Sequence, residues 1–186
     1  MHFTGLLYRA HNPVWSREPL SGEGAARFGG RFNRMGRTAL YTSLAPETAL
    51  REANQAGTLQ PTTLVAYQAD IGPLLDGRDT AALHPFGITP AELADPSWRD
   101  RMLSGKPVPT QDLAEAAIAQ GYAGIVVPSY ARGAPADALN LVLWDWDGRI
   151  TLVDDDDRLG LRNNCWPLIP RSSLRGQDRD TTMGLR

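Results

Sequence analysis

The stretch SGEGAARFGGRFNRMGRTALYTSLAPETALRE, residues 21–52, decides how this chain is read. Its middle sets two adjacent glycines, Gly29 and Gly30, directly before Arg31. TALYTS (38–43) reads as a short strand, flanked by Gly36 and Pro46. PETALREANQAG (46–57) reads as a helix. Pro46 suits the first helical position, Glu47 the positive N-terminal end and Gly57 the stop. The loop before them allows two readings. Arg27, Arg31, Arg34 and Arg37 lie within eleven residues, and arginine forks match phosphate oxygens bidentately. The glycines permit close backbone approach, so the loop suits an anion clamp. The same residues also suit a solvated basic turn.

Working outward, GLLYRA (5–10) reads as a strand and TTLVAYQADI (62–71) as another, rich in β-branched residues. The stretch to about 109 is irregular and holds prolines at 73, 85, 90, 96, 107 and 109. Short helices are expected near TPAELAD and SWRDRML. TQDLAEAAIAQG (110–121) is a clearer helix. Leu113, Ala114, Ala117 and Ile118 recur at helical spacing, Thr110 suits the cap and Gly121 the stop. AGIVVPS gives a buried strand ending at Pro128. ALNLVLWDWDGRITLVD (138–154) reads as a hairpin turning at Asp147–Gly148. The order lacks regular strand–helix alternation and predicts a compact α+β domain with mixed or antiparallel sheets and flanking helices. That domain is expected over 1–160. The polar segment 161–186 reads as a loosely ordered tail.

Length and charge narrow the function classes. A chain of 186 residues suits one domain with a sizeable core. A net charge of −2 argues against sequence-independent nucleic-acid binding. Cys165 is the only cysteine, which excludes an intrachain disulfide and fits a reducing compartment. The N-terminus lacks a secretory pattern, and no apolar run reaches the roughly 20 residues of a membrane span. The expected location is the cytoplasm. His2, His11 and His84 lack metal-type spacing, so no metal is expected. Asp154 to Asp157 read as a solvated acidic turn. Gly22-x-Gly24 continues to Arg27 where a dinucleotide loop needs glycine.

Two further residues draw attention. Tyr41 is either a core ring or a platform for a flat ligand, its hydroxyl then free to bond. Glu52 lies about 90° from the centre of a helical stripe formed by Ala49, Leu50, Ala53 and Ala56, and so looks toward a cleft. In isolation it is equally an ordinary boundary carboxylate. Arginines, an aromatic and one carboxylate together suit cleavage of a ribosyl–nicotinamide bond. Such a bond breaks through an oxocarbenium-like state that a fixed carboxylate stabilises. Nicotinamide in NAD+ is already a cationic leaving group, so no metal is required.

At these residues the sequence resembles the RES-domain toxins of bacterial toxin–antitoxin pairs, and among them the ParT-type proteins. The resemblance rests on YRA (8–10), on residues 21–52, and on GYAGIVVPSYARG with ALNLVLW within 121–144. It spans roughly residues 5–155. It implies an ADP-ribosyltransferase-like fold related to diphtheria toxin, with NAD+ as substrate. It implies transfer of ADP-ribose to a protein, or NAD+ degradation with water or phosphate as acceptor. It also implies an Xre-like antitoxin that blocks the NAD site. Carried over, the Gly-Gly-Arg motif falls on Gly29, Gly30 and Arg31, the tyrosine on Tyr41 and the glutamate on Glu52. Ser129 and Asn140 match more loosely and would hydrogen-bond the nicotinamide or its ribose. Arg9 parallels an early-strand arginine. Phe32 stands where many relatives carry tryptophan. A non-enzymatic anion-binding module is the competing class. A ribonuclease lacks a histidine pair here.

Overall fold

Period-two alternation builds the longest strands of the computed structural model, which describes residues 1–54 and 61–153. The strands are β1 (Phe3–His11), β2 (Leu40–Ser43), β3 (Thr63–Ile71), β4 (Leu74–Asp76), β5 (Gly124–Pro128), β6 (Leu139–Leu143) and β7 (Ile150–Val153). In β3, Val65, Tyr67, Ala69 and Ile71 are buried, while Leu64, Gln68 and Asp70 are exposed. β3 pairs antiparallel with the whole of β1. Among the described residues one sheet results, in the order β4-β5-β6-β2-β1-β3-β7, and its one parallel pair is β4 with β5.

The sheet is narrow at its middle. β1 and β2 share a single register pair, Tyr8 with Ser43. On either side of that seam lie two halves, β4-β5-β6-β2 and β1-β3-β7. One apolar cluster joins them, with Leu7, Val65 and Tyr67 from one half and Leu40, Val126 and Leu141 from the other. A second cluster packs Ile125, Val127 and Val142 against helical Leu93, Leu113 and Ala117.

The helices are α1 (Glu23–Phe28), α2 (Pro46–Ala53), α3 (Thr80–Leu83), α4 (Pro90–Leu93), α5 (Trp98–Leu103) and α6 (Pro109–Ala119). Thr89 and Glu92 form a capping box that starts α4. The two short helices expected in the proline-rich stretch are therefore present.

Three expectations are corrected. The 138–154 segment is not a hairpin. A turn does form at Trp146–Arg149, with Gly148 at φ 68°. Yet β6 pairs with β2 and β5, and β7 pairs with β3. Leu141, Val142 and Leu143 are all buried, so β6 sits inside the sheet with both edges taken. Turn chemistry fixed the bend without fixing the partner. Second, Thr110 does not cap α6. Pro109 takes the first helical position, and the Thr110 hydroxyl donates to the Arg31 carbonyl at 2.6 Å. Third, Leu50 is exposed, and Thr48 and Ala49 form the buried face of α2. Ala56, Gly57, the acidic run, Cys165 and the 161–186 tail lie outside the described residues.

Candidate functional site

The glycine–arginine loop is held from all sides. Gly30 N–H bonds the Asn33 carbonyl at 2.9 Å. The carbonyls of Gly30 and Asn33 accept from the Gln111 side chain, that of Arg31 from Thr110, and that of Phe32 from the Trp144 indole. Asn33 is fully buried. Its amide donates to the carbonyls of Ala25, Arg34 and Arg37. Every one of these backbone groups would cost free energy if buried and unpaired, so the loop has a specified shape. The solvated-turn reading is therefore wrong for residues 29–33.

Tyr41 closes this network. Its hydroxyl donates to Asn33 Oδ1 at 2.8 Å and accepts from Phe32 N–H at 3.0 Å. The hydroxyl is thus engaged with the loop, whereas its ring borders the cleft. Burial pushes the Tyr41 pKa up, above the usual phenol range. Gly30 is glycine because of this contact: a Cβ there would collide with the Tyr41 hydroxyl and with Asn33 Oδ1. Gly29 combines a φ of 67° with Met102 Sδ 2.7 Å from where a Cβ would stand.

Arg31 leaves this loop and enters the cleft. Its Nη1 donates to the carbonyls of Leu93 and Asp95 at 2.7 and 2.8 Å. Its guanidinium lies 4.6 Å from the Tyr130 ring centroid and 5.7 Å from that of Trp98. Burial lowers its pKa, while Tyr130 and the Glu52 carboxylate act in the opposite sense.

Glu52 reaches the same cleft from α2. Its Oε1 accepts from Ser129 Oγ at 2.6 Å and from Asn140 Nδ2 at 2.5 Å. Asn140 is itself oriented, since its Oδ1 accepts from Ser43 Oγ at 2.7 Å. Ser129 follows β5, Asn140 lies in β6 and Ser43 ends β2, so three strands set the position of one carboxylate. The cleft has a volume of about 760 Å³ and opens where β1 and β2 part. Tyr8 and Ala10 border it from one half of the sheet, Tyr41 and Asn140 from the other. Arg9 also borders it, but its Nη1 is donated to the carbonyls of Pro19 and Ser21.

A family model described as the RES domain matches residues 6–160. The chain belongs to the RES domain family. A similar solved structure is described as the M. tuberculosis MbcT–MbcA toxin–antitoxin complex. It aligns with a TM-score of 0.57 and 23% identity, over 83% of this chain and 84% of that one. At that identity the likeness is one of fold, and it agrees with the expected compact α+β domain with a mixed sheet and flanking helices. No curated protein matches the sequence.

Within this RES domain the structure gathers Arg31, Tyr41, Glu52, Asn140 and Gly30 at one cleft and brings Ser129 to it through Glu52. It gives Ser129 and Asn140 the carboxylate as partner. Sequence reasoning missed Asn33, Gln111 and Ser43, which hold the site, and Trp98, Arg99 and Tyr130, which line it. The arginine-rich composition of the loop drew attention away from them. Of its four arginines, Arg34 pairs with Asp112 and Arg37 with Glu115, and both face outward. Among the described residues no group of three or more His, Cys, Asp or Glu side chains could hold a metal ion. No described helix is long and apolar enough to cross a membrane.

Proposed function

We propose that this RES domain is the toxin of a toxin–antitoxin pair, and that it binds NAD+, cleaves the nicotinamide–ribose bond and transfers ADP-ribose to a protein. The observation that carries this reading is Glu52. Its carboxylate is fixed through Oε1 by Ser129 and Asn140, in a cleft that Arg31 also lines. A volume of about 760 Å³ suits a ligand of cofactor size. As the glycosidic bond breaks, positive charge grows on the ribose, and a preorganised carboxylate stabilises that charge without reorganising. The two donors on Oε1 keep Glu52 in one rotamer, which is what a positional role needs. Arg31 offers Nε and Nη2 to a phosphate or ribose oxygen, Nη1 being committed to the 93–95 backbone. The Tyr41 ring supplies an aromatic surface at the same cleft.

The partner in this reading is an Xre-like antitoxin that covers the NAD site, in a cytoplasmic setting. The likeness to a chain from a toxin–antitoxin complex supports it. The test is incubation of the purified protein with labelled NAD+ and cell extract. Label on a protein is expected. Free ADP-ribose or a phosphorylated ribose product would instead name water or phosphate as acceptor. Glu52→Gln is expected to lower cleavage by at least about a hundredfold, the scale of losing a preorganised electrostatic group. A fully active Glu52→Gln protein would sink the mechanism and return the cleft to an anion-binding module.

A further inference from the structure

Only Arg31, among the four arginines of the 27–37 stretch, lines the cleft. Arg27 lies 5.5 Å from the Phe28 ring centroid, and Arg34 and Arg37 are paired with acids of α6. Arg31 also spends Nη1 on two carbonyls. One such fork is a weak holder for a ligand with two phosphates. The cleft, however, is bordered by two more arginines, Arg9, whose Nη1 is already donated to the carbonyls of Pro19 and Ser21, and Arg99 of α5.

Trp98 brings the two together. The Arg99 guanidinium lies 5.0 Å from the centroid of the Trp98 ring and that of Arg31 lies 5.7 Å from it. Stacking on an aromatic leaves the in-plane N–H groups of a guanidinium directed outward, where they match phosphate oxygens. The nearby acids do not neutralise Arg99. Asp95 pairs with Arg101 at 3.9 Å, its other bonds going to Ser97. Asp100 borders the cleft with no ion pair among the described residues. Two cations thus share one ring at the cleft, with the Glu52 carboxylate held by its own donors.

We infer that Trp98 and Arg99 form, with Arg31, a diphosphate subsite that takes a nucleoside diphosphate by its bridged phosphates. Arg31 binds from the loop side and Arg99 from α5, and the indole sets the spacing between them. The inference deepens the NAD+ reading and rests on it for the identity of the nucleotide. The diphosphate chemistry stands on the arginines alone.

ADP is the probe, with adenosine for comparison, in calorimetric titrations on the full chain. Arg99 is exposed, so its substitution leaves the fold in place. Arg99→Gln is expected to weaken ADP binding about tenfold or more and to leave adenosine binding unchanged. It should also reduce the salt dependence of ADP binding. Arg99→Lys keeps a point charge and should recover part of the loss. Arg101→Gln removes an equal charge from the same helix and should bind ADP as the wild type does. ADP binding within twofold of wild type in Arg99→Gln overturns the subsite, as does an equal loss in Arg101→Gln or a wild-type chain that does not bind ADP. A wild type that cleaves NAD+ while ADP binding ignores Arg99 loses the subsite and keeps the reaction. Arg99-dependent ADP binding by a wild type that never cleaves NAD+ keeps the subsite and loses the reaction.

Discussion

At the residue scale, the Tyr41 hydroxyl has a role distinct from that of its ring. It satisfies Phe32 N–H and Asn33 Oδ1, both inside the loop that projects Arg31. Tyr41→Phe keeps the ring and strands two buried polar groups. It should therefore cost about 1–3 kcal/mol of stability, read from urea unfolding, while the stacking surface survives. A Tyr41→Phe protein as stable as wild type would show that the loop does not depend on this bond. The donors to Glu52 make a separate case. Asn140→Ala removes a hydrogen bond to a charged group, on the scale of about 1.5–3 kcal/mol. If that bond orients the carboxylate, NAD+ cleavage should fall roughly tenfold to a hundredfold in kcat, with a smaller change in KM. The positions of Arg31, Tyr41 and Glu52 were readable from residue type and resemblance. Ser129 and Asn140 were named as well, but as ligand contacts; their pairing with Glu52 was not legible, because spacing says nothing of contacts across a sheet.

Elements act here as clamps. α6 presents Thr110 and Gln111 to the carbonyls of Gly30, Arg31 and Asn33, so the loop is fixed by a helix that begins some eighty residues later. Gln111→Leu fills the space but offers no donor. It should destabilise the protein by about 1–3 kcal/mol. Combined with Tyr41→Phe it should show non-additive losses, since both changes release the same loop, and a double-mutant cycle measures that coupling. β1, β2, β3, β5, α2 and α6 were foreseen from periodicity and caps, whereas the short elements α1, β4 and α3 were read as loop. The error fell on β6 and β7. A turn at Asp147–Gly148 says that the chain bends, but which strand each arm joins is decided by burial over the whole sheet. The same limit explains Thr110, whose hydroxyl suited a cap and found a carbonyl instead.

For the whole molecule, acid stability follows from groups held away from protons. His11 is buried, its Nε2 has no hydrogen-bond partner among the described residues, and burial lowers its pKa below the usual imidazole value. The unfolded chain takes up that proton near pH 6.5, and the folded one only at lower pH. Stability is therefore full above about pH 6.5 and is lost as pH falls through that window. Asp70, Asp76 and Asp95 also have lowered pKa values, through hydrogen bonds to His2, Arg78 and Ser97 respectively. They act in the same direction below about pH 4. Urea midpoints measured from pH 8 to pH 4 should show the first decline in the wild type and its disappearance in His11→Gln. The fold class was foreseen as α+β, but the seam at Tyr8 and Ser43 was not, because no local pattern marks where a sheet narrows. The distribution of the site along the chain has a consequence for synthesis. Arg31, Tyr41 and Glu52 all emerge from the ribosome early, yet β2, joined to β1 by a single register pair, finds its main sheet partner only when β6 arrives, with Tyr41 opposite Val142. Ser129, Asn140 and the Trp144 indole come in that same late segment. A nascent chain thus carries these groups long before it can aim them, and the cleft is complete only once β6 has been made.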